Sequence, residues 1–234
     1  MVKAELIKQS PLRIFDASTR GGLGKGNLGV LTARHGLGKM SAMVHLAVDR
    51  LLQGKGVIHI TFSSRVQHIL DYYEEIFTEI SKMKNLEKAF EVYEELVAHR
   101  MVMNFDQKAD VKHLLDSVKA RLGDEKSFAV DTVIVDEFNF SLTRKEEMEE
   151  FQRFAKSIGV ELWFSVSLKD EGEASLQPVP LVLLPYEYFF SVMINLRAHR
   201  EDGKVHLELI KDHASKPQDT HLVLDAKTLL ILRD

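Results

Sequence analysis

The chain has 234 residues, 45% apolar and 28% charged, with 31 Lys and Arg against 35 Asp and Glu for a net charge of −4. This composition supports a full core and excludes disorder as the main state, and it supplies no global positive field toward nucleic acid or an anionic membrane. With no Cys, and 10 His that form no His-Glu-x-x-His pair, disulfides, zinc knuckles, iron–sulfur clusters and thiol catalysis are excluded, so any metal is expected on oxygen.

In chain order, Leu28 to Ala33 reads as a buried strand. A glycine-rich turn follows, then a helix with Met40, Met43, Val44, Ala47 and Leu51 on one face, ended by Gly54. Val57 to Phe62 is a second strand. Val66, Ile69, Leu70, Tyr73, Ile76, Phe77 and Ile80 mark an amphipathic helix, and Leu86, Ala89, Phe90, Tyr93, Leu96 and Val97 continue it after a break near Lys84-Asn85. Met101 to Phe105 is a third strand. Asp110 is placed to cap a helix faced by Val111, Leu114, Leu115 and Val118, with Gly123 past its end. Phe128 to Val135 is nearly all apolar, as a strand covered on both faces should be, and ends in Asp136-Glu137. Thr143 and Glu146 form a capping box before a helix carrying Met148, Phe151, Phe154, Ala155 and Ile158, and Leu162 to Val166 is the next strand. After a Pro-containing loop from Ser167 to Leu184, the runs Phe189 to Leu196, Lys204 to Lys211 and His221 to Leu224 predict a β-meander. The whole, residues 1–234, is expected to be one α/β domain with a mainly parallel sheet.

The turn Ala33-Arg34-His35-Gly36-Leu37-Gly38-Lys39-Met40-Ser41 follows the phosphate-loop pattern G-x-x-x-x-G-K-[ST] at Gly36, Gly38 and Lys39. Such a loop converges backbone N–H groups on phosphate oxygens at a helix N-terminus while the lysine neutralises the outer phosphates. Gly36, Leu37, Gly38, Lys39, Met40 and Ser41 are therefore the candidate nucleotide-binding residues. The alternative is a glycine turn that only joins strand to helix. Met40 stands where a hydroxyl would ligate Mg²⁺, and a thioether is a poor ligand for a hard cation. Asp136, at the C-terminal end of a buried strand, is the candidate Mg²⁺ residue, and Glu137 the candidate catalytic base.

These residues resemble the RecA-like ATPases, and within them the KaiC-like group, over nearly the whole chain. Gly21-Gly22-Leu23-Gly24-Lys25-Gly26 is similar to the glycine-rich segment that precedes the first core strand of that family. The resemblance implies a three-layer phosphate-loop sandwich, ATP or a related nucleotide as ligand, and Mg²⁺ beside it. It also implies that Lys211 and His213, at the place of the family's Lys-x-Arg pair, reach the nucleotide of a neighbouring subunit. The family's water-activating acid beyond the second strand is replaced by Ser63-Ser64, and a serine does not accept that proton at neutral pH. With Met40 and His213, this points to a degenerate site in which nucleotide binding outlives hydrolysis.

Two other classes stay open. One is a non-enzymatic pseudo-ATPase that docks a protein, or another copy of itself, through residues 66–99. There Asp71, Glu74, Glu75, Glu79, Glu87, Glu91, Glu94 and Glu95 otherwise read as a solvated face. The other is a DNA recombination or repair accessory protein, which the net charge disfavours; Arg197, His199 and Arg200 read as a surface turn. Trp163 reads as core. Met1-Val2-Lys3-Ala4-Glu5 lacks a signal-peptide apolar region and no run approaches a membrane span, so a cytoplasmic location without a membrane partner is expected.

Overall fold

The computed structural model describes residues 1–62, 65–122, 129–168, 178–199, 201–213 and 215–234. Two helices, α1 (Lys3–Lys8) and α2 (Leu12–Ser18), precede the first strand. Each is too short for a periodic pattern to show in the sequence, which predicts no element before Leu28. They are anchored by Leu6 in α1 and by Leu12 and Phe15 in α2. The chain then runs β1 (Leu28–Arg34), α3 (Lys39–Leu52), β2 (Gly56–Thr61), α4 (Val66–Lys84), α5 (Ala89–Ala98), β3 (Arg100–Asn104), α6 (Val111–Leu122) and β4 (Val130–Asp136). It continues through α7 (Lys145–Ile158), β5 (Glu161–Leu168), β6 (Phe190–Ala198), β7 (Val205–Asp212), β8 (Leu222–Leu224) and β9 (Ile231–Arg233).

The strands form one sheet in the order β3-β2-β4-β5-β1-β6-β7-β8-β9. Every pairing from β3 across to β6 is parallel, and the last three pairings are antiparallel. Strand alternation divides the core between the two faces. Leu31, Ala33, Val57, Ile134 and Trp163 join the apolar side chains of α1 to α5. Leu28, Val30, Ile58, Val133, Leu162 and Phe164 join those of α6 and α7. The result is an α/β fold with a mostly parallel central sheet, compatible with a three-layer sandwich. Among the described residues no helix is long and apolar enough to cross a membrane.

Local chemistry moves a few expected boundaries. The helical segment divides where Asn85 takes a φ of 47° and closes α4, at the expected break. The cap of α7 sits one residue later than expected: Arg144 N donates to Glu147 Oε2 at 2.7 Å, and the Thr143 hydroxyl donates to the Asn139 carbonyl at 2.8 Å. Leu181–Phe189 is a 3-10 helix that begins inside the expected loop and runs past its end, so the next strand starts at Phe190, one residue later than expected. Gly123, Phe128, Arg200 and residues 169–177 lie outside the described residues, as do Ser63 and Ser64. Trp163 is fully buried, as expected of a core residue.

At the N-terminal end of the parallel strands, charged groups tie α2, α3 and β5 together. Arg50 of α3 donates from Nη2 to Asp16 Oδ1 at 3.4 Å and lies with Nε 3.3 Å from Glu161 Oε2. Arg13 pairs with Asp16 at 2.6 Å and also with Asp49. Burial opposes the Arg50 charge, but Glu161, Asp16 and Asp49 together outweigh it and hold its pKa above the ordinary value.

Candidate functional site

The loop between β1 and α3 turns on two glycines with left-handed backbone, Gly36 at φ 85° and Gly38 at φ 82°. Only residues without a Cβ adopt that region freely. At Gly38 there is a second reason for glycine: a Cβ there would lie 2.3 Å from Leu224 Cδ2, so β8 roofs the turn. Gly38 is also the residue from which α3 departs. The first backbone N–H groups of α3 and its positive dipole end therefore gather at this turn, the arrangement that favours an anion.

Period-2 alternation places Asp136 of β4 and Ser165 of β5 on the α3 face, in neighbouring strands whose register pairs Val135 with Phe164. Lys39, the first residue of α3, donates from Nζ to Asp136 Oδ1 at 3.3 Å and to Ser165 Oγ at 3.0 Å. Ser165 Oγ also donates to Asp136 Oδ1. Asp136 is fully buried, and its Oδ2 has no partner among the described residues. The structure thus brings Lys39 and Asp136 together as the sequence spacing suggests and adds Ser165. A single hydroxyl within Leu162 to Val166 was the one signal that could have found it.

Met40 and Leu37 pack against the apolar cluster that also holds Leu222 and Leu224, so the thioether stands among hydrocarbon. Ser41 is buried, with no partner for its Oγ among the described residues. The turn suits phosphate oxygens. The set of oxygen donors is poor for Mg²⁺, which favours several hard ligands in an octahedron. Asp136 Oδ2 is the open carboxylate oxygen, and Oδ1 is already bound. If the turn takes ATP, chelation by EDTA is expected to change its affinity little by calorimetry. A loss of affinity that Asp136→Ala abolishes would reveal a complete metal site.

Glu137 is exposed, with a φ of 58°, and its backbone N–H donates to Ser165 Oγ at 3.3 Å. Glu137 is thus an exposed acid next in sequence to the buried Asp136. Lys211 and His213 lie elsewhere. Lys211 pairs with Met193, which is level with Val30 in mid-β1, and its Nζ donates to the Glu187 carbonyl at 2.7 Å. His213 lies beyond β7, where its N–H donates to the Ser191 carbonyl and its Nε2 is 3.2 Å from the Gly22 carbonyl. Strand rise puts His213 about 20 Å from the glycine turn of its own chain. Arg197 and His199 are paired with Glu208.

Two histidines are buried, His59 in β2 and His45 in α3. In β2, His59 Nδ1 lies 3.1 Å from the Tyr73 hydroxyl, and burial pushes its pKa down to about 4. In α3, His45 Nδ1 accepts from the Ile231 N–H at 2.8 Å, and burial lowers its pKa from 6.5 to about 4. An unfolded His45 takes up its proton near pH 6.5, whereas the folded one resists to about pH 4. Its contribution is therefore complete above pH 6.5 and lost as pH falls toward 4, a loss of about 3 kcal/mol. Urea unfolding across this window should show the combined slope of His45 and His59, and His45→Asn should remove about half of it. An unchanged slope would mean that His45 is hydrated.

Among the described residues, one His and acid group has metal-ligand spacing: Asp202, His206 and Asp234. It lies near the β6–β7 turn with both carboxylates engaged, Asp202 by His206 at 2.7 Å and Asp234 by Lys204 at 2.5 Å. No protein-family model matches the chain, and the search of curated proteins finds no match.

Proposed function

We propose that the chain is a nucleotide-binding protein of RecA-like, KaiC-like type. It takes ATP or a related nucleotide at Gly36 to Ser41 and hydrolyses it weakly or not at all. The observation that carries this is the position of Lys39, whose Nζ stands at the head of α3 behind a turn of two left-handed glycines, 3.3 Å from Asp136 Oδ1. Ligands in open α/β sheets sit beyond the carboxyl ends of the strands, which is where this turn lies. The β- and γ-phosphates would accept from the turn's N–H groups, and Lys39 would exchange part of its contact with Asp136 for phosphate.

Weak hydrolysis follows from what surrounds that point. Met40 offers no oxygen, and Glu137 is the acid left to orient water. Calorimetric titration with ATP tests binding, and phosphate release from the parent and Glu137→Gln tests turnover. No saturable binding would overturn the nucleotide reading. Brisk release abolished by Glu137→Gln would make this an active ATPase. The pseudo-ATPase reading draws on Phe90 and Val97, 72% and 41% exposed on α5 among its glutamates. A pull-down that survives Lys39→Ala but not Phe90→Glu would favour it.

A further inference from the structure

A cavity of about 620 Å³ opens between α3, the two N-terminal helices, the end of α4 and β9. That is within the range of small-molecule sites. Its floor is one stripe of α3, His45, Asp49 and Leu52, and apolar walls include Leu6, Ile14 and Ile80. One donor faces it without an acceptor. His45 is 4% exposed, and because its Nδ1 accepts from Ile231, its proton is on Nε2, which has no partner among the described residues. Arg13 lines it too, but spends its Nη groups on Asp16 and Asp49. The lining carries four cations, Lys8, Arg13, Lys84 and Arg233, against one acid, Asp49.

An orphan donor, a positive lining and hydrocarbon walls call for an acceptor, a negative charge and an apolar body in one molecule. We infer that this cavity is a binding site for a small organic carboxylate with an aliphatic chain. The carboxylate accepts from His45 Nε2, and the chain lies against Ile14 and Ile80. The site is separate from the glycine turn, and its existence does not depend on nucleotide binding.

The test titrates the full chain with octanoate below its critical micelle concentration and repeats the titration with octan-1-ol, which keeps the chain and lacks the charge. One saturable site is expected, with the alcohol weaker by roughly tenfold or more, the loss of a charge-assisted contact. Ile14→Trp should fill the cavity and abolish octanoate binding while leaving the ATP titration as in the parent. Should Ile14→Trp fail to fold, the His45 ring ¹⁵N signals of the parent decide. A shift at Nε2 on adding octanoate supports the site, and an unmoved signal overturns it. Non-saturable uptake, equal affinity for the alcohol, or full binding by folded Ile14→Trp would each overturn it too.

Discussion

Replacing Arg50 by Met is expected to lower the unfolding free energy by about 3–5 kcal/mol, the cost of removing one partner from a buried ionic network. The Arg50 side chain is 5% exposed, and it faces Glu161 at 10% and Asp16 at 18%. Met matches the aliphatic stem of Arg but leaves Glu161 charged in a place where water cannot solvate it. Asp16 keeps Arg13 and suffers less. In a chain of this size each kcal/mol moves the melting temperature by about 2–4 °C, so a fall of about 6–20 °C should be seen. Adding Glu161→Met to Arg50→Met should recover much of the loss, because the stranded charge is then gone. A single variant within about 1 kcal/mol of the parent would show that the network is as well solvated as a surface pair.

Lys39→Ala is expected to reduce ATP affinity by one to two decades, since a charge-assisted contact to phosphate is worth about 1.5–3 kcal/mol. The geometry adds a second effect that a generic surface lysine would not have. With Lys39 gone, the fully buried Asp136 keeps only the Ser165 hydroxyl on Oδ1, so the variant should also lose stability, by about 3 kcal/mol or more. Asp136→Asn in the same background removes the stranded charge. It should restore the urea midpoint while leaving ATP binding weak. If Lys39→Ala binds ATP like the parent, the glycine turn is only a connection between β1 and α3. If affinity and stability return together with Asp136→Asn, the lysine acts on folding and not on phosphate.

The alternation of apolar runs with helical periods, the meander after Phe189 and the break at Asn85 were legible in the sequence because each rests on local patterning. So was the acid ending an apolar strand at Asp136. What was not legible depends on register. Ser165 in a strand looks like a tolerated small residue until β5 is seen to lie beside β4, with the α3 face of both strands at the head of Lys39. Met40 could be read as a missing hydroxyl, but not as a half-buried side chain packed against the apolar cluster, some of whose members, such as Leu222 and Leu224, are distant in the chain. The level of His213, at the opposite end of the strands from the glycine turn, is likewise fixed only by the β6–β7 pairing. The N-terminal helices owe their form to a few anchors and the ion pairs of Arg13, and carry no period to read.

The roof that Leu224 makes over Gly38 bears on the order of events in folding. β1 is the earliest strand in the chain, yet its two neighbours in the sheet are β5 and β6, and Leu224 of β8 lies over its turn at Gly38. Contacts that close such long stretches of chain carry a large loop entropy and form slowly. The glycine turn should therefore acquire its shape in the last kinetic phase, after the βαβ units from β2 to β4 have collapsed. In a stopped-flow refolding experiment, the capacity to take up a fluorescent nucleotide should lag behind the recovery of helical signal.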